Sequence, residues 1–133
     1  MKTAKIKTGW KILLKGSDGT MYSALKGSVV YEQGEFIRPH KHCGPLAVFC
    51  SRRKALDFMH YQCCGVDDRY IARCQYVPSR YKFLWLSYTS GLRHEVRRTL
   101  PAGTRLARVV KISKPVKLRE YMLTLTYRRH CRG

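Results

Sequence analysis

The stretch from Gly44 to Met59, GPLAVFCSRRKALDFM, limits the fold of this chain more than any other. Leu46 to Cys50 is a short apolar run opened by Gly-Pro and rich in strand formers, so it predicts a buried strand. Ser51 follows as a helix N-cap, because its hydroxyl can accept from the free amides of the first turn. Ala55, Leu56 and Met59 then recur at helical spacing and give one apolar stripe. The helix is expected to end near His60 to Gln62, where Cys63-Cys64-Gly65 supplies a stop. No other stretch reads as clearly helical, so the remaining chain has to be built from strands and turns.

Those strands are short and punctuated. Trp10 to Lys15 and Thr20 to Leu25 flank Gly16-Ser-Asp-Gly19, and Asp-Gly tolerates the positive φ that hairpin turns need. Val29 to Glu32 and Glu35 to Arg38 are two further short runs. Arg69 to Tyr76 alternates, with Tyr70, Ala72, Cys74 and Tyr76 on one face. Val77-Pro-Ser-Arg80 reads as a turn and Tyr81 to Tyr88 as a strand, with Thr89 to Arg98 irregular or a short helix. Leu100-Pro-Ala-Gly-Thr104 turns into Arg105 to Ile112, where Leu106, Arg108, Val110 and Ile112 are expected on one face. Tyr121 to Tyr127 is the last strand. The expected class is α+β: a mainly antiparallel, curved sheet of about seven strands with one helix packed on it. A single domain over residues 9–127 is expected, with a basic arm at 1–8 and a basic tail at 128–133.

Charge narrows the partner. Twenty-seven Lys and Arg face eight Asp and Glu, a net charge of +19, and residues 89–133 alone hold twelve cations against two Glu. A compact domain so charged repels itself and attracts polyanions, of which RNA and DNA are the commonest. Arg52-Arg53-Lys54 is the sharpest cluster. Three cations sit where the helix end is already positive and first turns favour Asp or Glu, so Ser51, Arg52, Arg53 and Lys54 form a candidate phosphate site. Arg97, Arg98, Arg105 and Arg108 extend the basic surface. Tyr81, Trp85 and Tyr88 are interleaved with Arg80 and Lys82 and are the candidate stacking rings. The bland alternative is that these are core-forming strand aromatics and a solvated basic surface. No RNP1, KH or zinc-finger spacing is present.

Other chemistry is thinly represented. There is no GxSxG, P-loop or HExxH, and Glu35 and Glu95 are the only carboxylates beside histidine- or arginine-rich loops. No catalytic residue is assigned and no cofactor is expected. His40, His42, Cys43 and Cys63 are of the right types for zinc, but their spacing lacks the paired CxxC of structural sites; scattered thiols and surface histidines are the simpler reading. No run approaches the ~18 apolar residues of a membrane span, and no secretory leader is seen. Six cysteines are then expected as thiols in a cytoplasmic protein.

The order Gly9-Trp-Lys, Gly34-Glu-Phe, Gly44-Pro-Leu-Ala-Val-Phe, Ala55-Leu-Asp-Phe and Leu100-Pro-Ala-Gly-Thr-Arg-Leu-Ala resembles small uncharacterised proteins of phages and prokaryotes, over residues 9–113. The layout is also similar to ADP-ribosyltransferase-like folds, without that family's active-site set. The first resemblance implies a viral or mobile-element setting, with the host cytoplasm as location and a role against host defence. The leading expectation is non-enzymatic binding of nucleic acid or another polyanion. A protein inhibitor docking on an acidic surface of a host nucleic-acid enzyme is the alternative. A transferase-type nucleotide enzyme, marked by a deep pocket lined by Glu35 or Glu95, is the third.

Overall fold

A computed structural model describes residues 5–24, 29–40, 44–62, 69–87, 94–97 and 99–117, with the side chains of 60–62, 86–87 and 94–97 outside the described set. Ten strands and one helix fall within these residues. They run in the order β1 (Lys7–Lys15), β2 (Met21–Ser23), β3 (Val30–Tyr31), β4 (Phe36–Ile37), β5 (Leu46–Phe49), α1 (Arg52–Gln62), β6 (Arg69–Pro78), β7 (Leu84–Ser87), β8 (His94–Arg97), β9 (Thr104–Ile112) and β10 (Val116–Lys117). The class is α+β with antiparallel strands and a single helix. The main sheet, however, is not a simple curved sheet: it closes into a small barrel.

Closure is visible in the pairing. β1 pairs β6 along Lys7 to Leu14 and meets β5 at Trp10↔Phe49. β5 pairs β9 over four positions, and β9 returns to β6. β1, β5, β9 and β6 therefore form a closed antiparallel ring, which satisfies edges that an open sheet would leave exposed. β2 with β3, β4 and β10 extend the ring as short flaps on β1, β9 and β6. The β1–β2 hairpin turns through Gly16 to Gly19, with Gly19 at φ 85. β7 and β8 form a separate two-stranded ribbon, so part of the segment expected to be irregular or helical is a strand. β1 begins at Lys7, inside the stretch read as an arm, because Lys7 and Thr8 pair with Tyr76 and Gln75. The strand expected at 121–127 and the tail at 128–133 lie outside the described residues.

Alternation sorts the ring's side chains into two cores. Leu13, Leu46, Val48, Ala72, Cys74, Tyr76, Ala107, Val110 and Ile112 fill the barrel, joined by Val29 and Tyr31 from the flap. Ile12, Phe49 and Ile71 point outward and are covered by Ala55 and Met59 of α1. β9 departs from strict alternation. Val77 faces Val109 but Pro78 faces Ala107, so Arg108 has no opposite number on β6. This extra residue is a β-bulge. It moves Ala107 into the core in place of Leu106 and leaves Arg108 exposed, contrary to the single face expected for Leu106, Arg108, Val110 and Ile112.

Candidate anion-binding site at the barrel mouth

One end of the barrel is cationic because of where the inward-facing registers run out. On β1 the inward positions are Leu13, Lys11, Gly9 and Lys7, and Lys7 pairs with Tyr76 at the end of the ladder. On β9, Arg105 pairs with Val48, a core residue, and so stands on the inward side one step beyond the apolar filling. Tyr76 closes the interior below them at 4% exposure. Its ring lies over Gly9, where a Cβ would come within 3.0 Å of the ring and 2.8 Å of the Phe49 carbonyl oxygen. Glycine is thus required by a close approach, and the tyrosine forms a floor. Burial pushes the Tyr76 phenol up, and the Arg105 charge opposes that shift.

Two clefts lie at this end of the barrel and share Pro78, Ser79 and Tyr81, and Tyr76 floors the second of them. The first, of about 400 Å³, is lined by these with Arg80 and Arg108. The second, of about 250 Å³, adds Lys7, Tyr76, Lys82 and Arg105, with Leu100, Thr104 and Leu106 along its side. The described lining holds five cations and no carboxylate. Each cation has a structural reason for its place. The bulge re-aims Arg108. Pro78 ends β6 and Ser79 N–H donates to the Leu106 carbonyl (2.8 Å), so the turn carrying Arg80 and Lys82 is tied to β9. Tyr81 N–H donates to Ser79 Oγ (3.1 Å), which fixes the turn further.

Tyr81 is 44% exposed. The Arg80 guanidinium lies over its ring at 5.5 Å. Trp85 meets it edge to face at 4.9 Å and 85°, and Phe83 packs on Trp85 at 5.4 Å. Trp85 itself is half-buried over Gly44, whose N–H donates to the Trp85 carbonyl (2.9 Å) and where a Cβ would sit 2.5 Å from the indole. Of the two expected stacking rings among the described residues, Tyr81 is therefore the one presented to solvent, and Trp85 acts as its buttress. Tyr88 lies outside the described residues.

The start of α1 is built as expected but stands beside the clefts. Ser51 Oγ accepts from Lys54 N–H (3.2 Å), and Ala55 N–H donates to the Ser51 carbonyl (3.1 Å). Arg52, Arg53 and Lys54 are exposed and line neither cleft. A link nonetheless exists. Cys50 N–H donates to the Gly103 carbonyl (2.8 Å), and a Cβ at Gly103, which has φ +84, would strike Lys54 Cβ at 2.5 Å. The Pro101–Thr104 turn so held is the one that leads into Arg105. Arg97 has its backbone in β8 and its side chain outside the described set; Arg98 is not among the described residues.

The remaining expected sites are quickly placed. His40 is exposed, and His42, Cys43 and Cys63 fall outside the described residues. Among those described, no group of three or more His, Cys, Asp or Glu is placed to hold a metal. Glu35 is exposed and lines neither cleft, and the Glu95 side chain is not described. No described helix is long and apolar enough to cross a membrane. Lys7, within the stretch expected as a basic arm, and Arg80 and Lys82, interleaved with the candidate stacking rings, belong to the cationic mouth. The available signal was Val77-Pro-Ser-Arg80, a strand-ending proline followed at once by cations. Comparison of the chain with models of protein families, with curated proteins and with solved structures finds no match.

Proposed function

We propose that this protein binds nucleic acid, without chemistry of its own, through the cationic mouth of its barrel. The observation that carries this reading is the convergence of Lys7, Arg80, Lys82, Arg105 and Arg108, from three separate segments, around an exposed tyrosine with no carboxylate in the described lining. Phosphates supply the charge these residues lack, and base faces supply a partner for the ring. The +19 net charge adds a long-range attraction that speeds encounter with any polyanion. The absence of a carboxylate from the described lining supports binding over acid–base catalysis. A viral or mobile-element setting, implied by the phage-type resemblance, suits such a protein.

The test is binding of labelled RNA and DNA oligonucleotides across a salt series. Neutralised phosphates release counterions, so five engaged cations give a slope of about −3.5 in log K against log salt on a single strand. No binding to either polymer at low salt would end this reading. A stable complex with an acidic host protein, formed after nuclease treatment, would then replace it with the inhibitor alternative.

A further inference from the structure

We propose that the two clefts take consecutive nucleotides of one unpaired strand, with Tyr81 as the wall between them. This rests on the nucleic-acid reading and narrows it from nucleic acid in general to single strands. Tyr81 belongs to the lining of both clefts. Each cleft brings its own cations: Arg80 and Arg108 in the first, Lys7, Lys82 and Arg105 in the second. The larger lies within the roughly 300–1,000 Å³ span of sites that enclose a small molecule, a size suited to one nucleotide.

The ring's setting fits that role. Trp85 buttresses Tyr81 at 4.9 Å, and the peptide of Tyr81 is held by Ser79 Oγ, so little freedom is lost when a base arrives. The Arg80 guanidinium, 5.5 Å over the ring, offers a planar cation that can meet a base face or a phosphate. A duplex cannot use this arrangement. Its base faces are covered by their neighbours, so it offers the clefts only phosphates.

Fluorescence anisotropy at low salt decides the matter with short oligo(dT), oligo(U) and a duplex of matched phosphate count. Both single strands are expected to bind at least about tenfold more tightly than the duplex, since stacking adds to the phosphate contacts. Tyr81→Leu is expected to lose about tenfold on the single strands and nothing on the duplex, while Tyr81→Phe keeps wild-type binding. The salt slope of Tyr81→Leu stays at the wild-type value, because a ring releases no counterion. Equal affinity of wild-type protein for single strand and duplex overturns the proposal while leaving nucleic-acid binding intact. Absence of binding to all three probes removes both. The wild-type ratio needs no variant, so the proposal remains exposed even where Tyr81→Leu folds poorly.

Discussion

Lys11 is the residue whose placement is hardest to reconcile with a hydrophobic core. It is 2% exposed inside the barrel. Its ammonium donates to the Ala47 carbonyl and lies 5.0 Å over the Tyr31 ring. A buried ammonium forfeits hydration worth several kcal/mol, and contacts of this kind work against that cost. Lys11→Met keeps the bulk and removes the charge, so its unfolding free energy is expected to equal or exceed wild type by up to a few kcal/mol. Lys11→Ala also leaves a void and should cost about 2–5 kcal/mol. Urea midpoints separate the two; a large loss in Lys11→Met would contradict this account of the charge. Close by, burial pushes the Cys74 thiol up to about 12, against smaller opposing effects from Lys11 and the Gly9 N–H. The unfolded thiol loses its proton near its ordinary value of 9.0. The stability owed to this neutral thiol is therefore complete below pH 9 and is lost as pH rises toward 12. Tyr31, whose phenol burial also pushes up, acts in the same direction. Urea midpoints over that range should fall less steeply in Cys74→Ala than in wild type. These interior residues were half legible. Cys74 and Tyr76 follow from alternation, but nothing in GWKILLK marks Lys11 as inward, since a lysine in a strand ordinarily faces water.

At the level of elements, the strand–cap–helix unit was readable because its signals are local: Ser51 caps α1 and Ala55 and Met59 face the barrel, as spacing requires. Ser51→Ala should cost about 1 kcal/mol in thermal or urea unfolding. β9 departs from the expected alternation because a bulge has no signature in a run such as TRLARVVKI; the extra residue shows only against its partner strand. The β7–β8 ribbon was half seen, since His94–Arg97 gains its strand character from pairing with Leu84–Ser87. The Pro101–Thr104 turn offers a sharper test. Gly103 and Gly19 both have positive φ, but a Cβ meets nothing at Gly19 and strikes Lys54 at Gly103. Gly19→Ala should therefore cost about 1 kcal/mol, and Gly103→Ala distinctly more, up to about 3 kcal/mol. Equal losses would mean that the contact between this turn and α1 contributes nothing.

At the scale of the whole molecule, composition raises the expectation of a polyanion partner and does not locate it. Cations are spread along the chain, and barrel closure decides which of them meet. Ring pairing brings Lys7 of β1 to Arg105 of β9, residues almost a hundred positions apart, and no local pattern encodes that meeting. Binding is therefore proposed at the mouth of the barrel and not at the start of α1. Two triple charge reversals of equal net charge test it. One is Arg80→Glu with Arg105→Glu and Arg108→Glu; the other is Arg52→Glu with Arg53→Glu and Lys54→Glu. Affinity for a single-stranded oligonucleotide at fixed low salt is compared with wild type in both, after circular dichroism confirms folding. The mouth variant is expected to lose at least about a hundredfold, from several lost phosphate contacts, and the helix variant no more than a few-fold, from weakened long-range attraction. Equal losses in the two variants, or a greater loss in the helix variant, would contradict the assignment of binding to the barrel mouth.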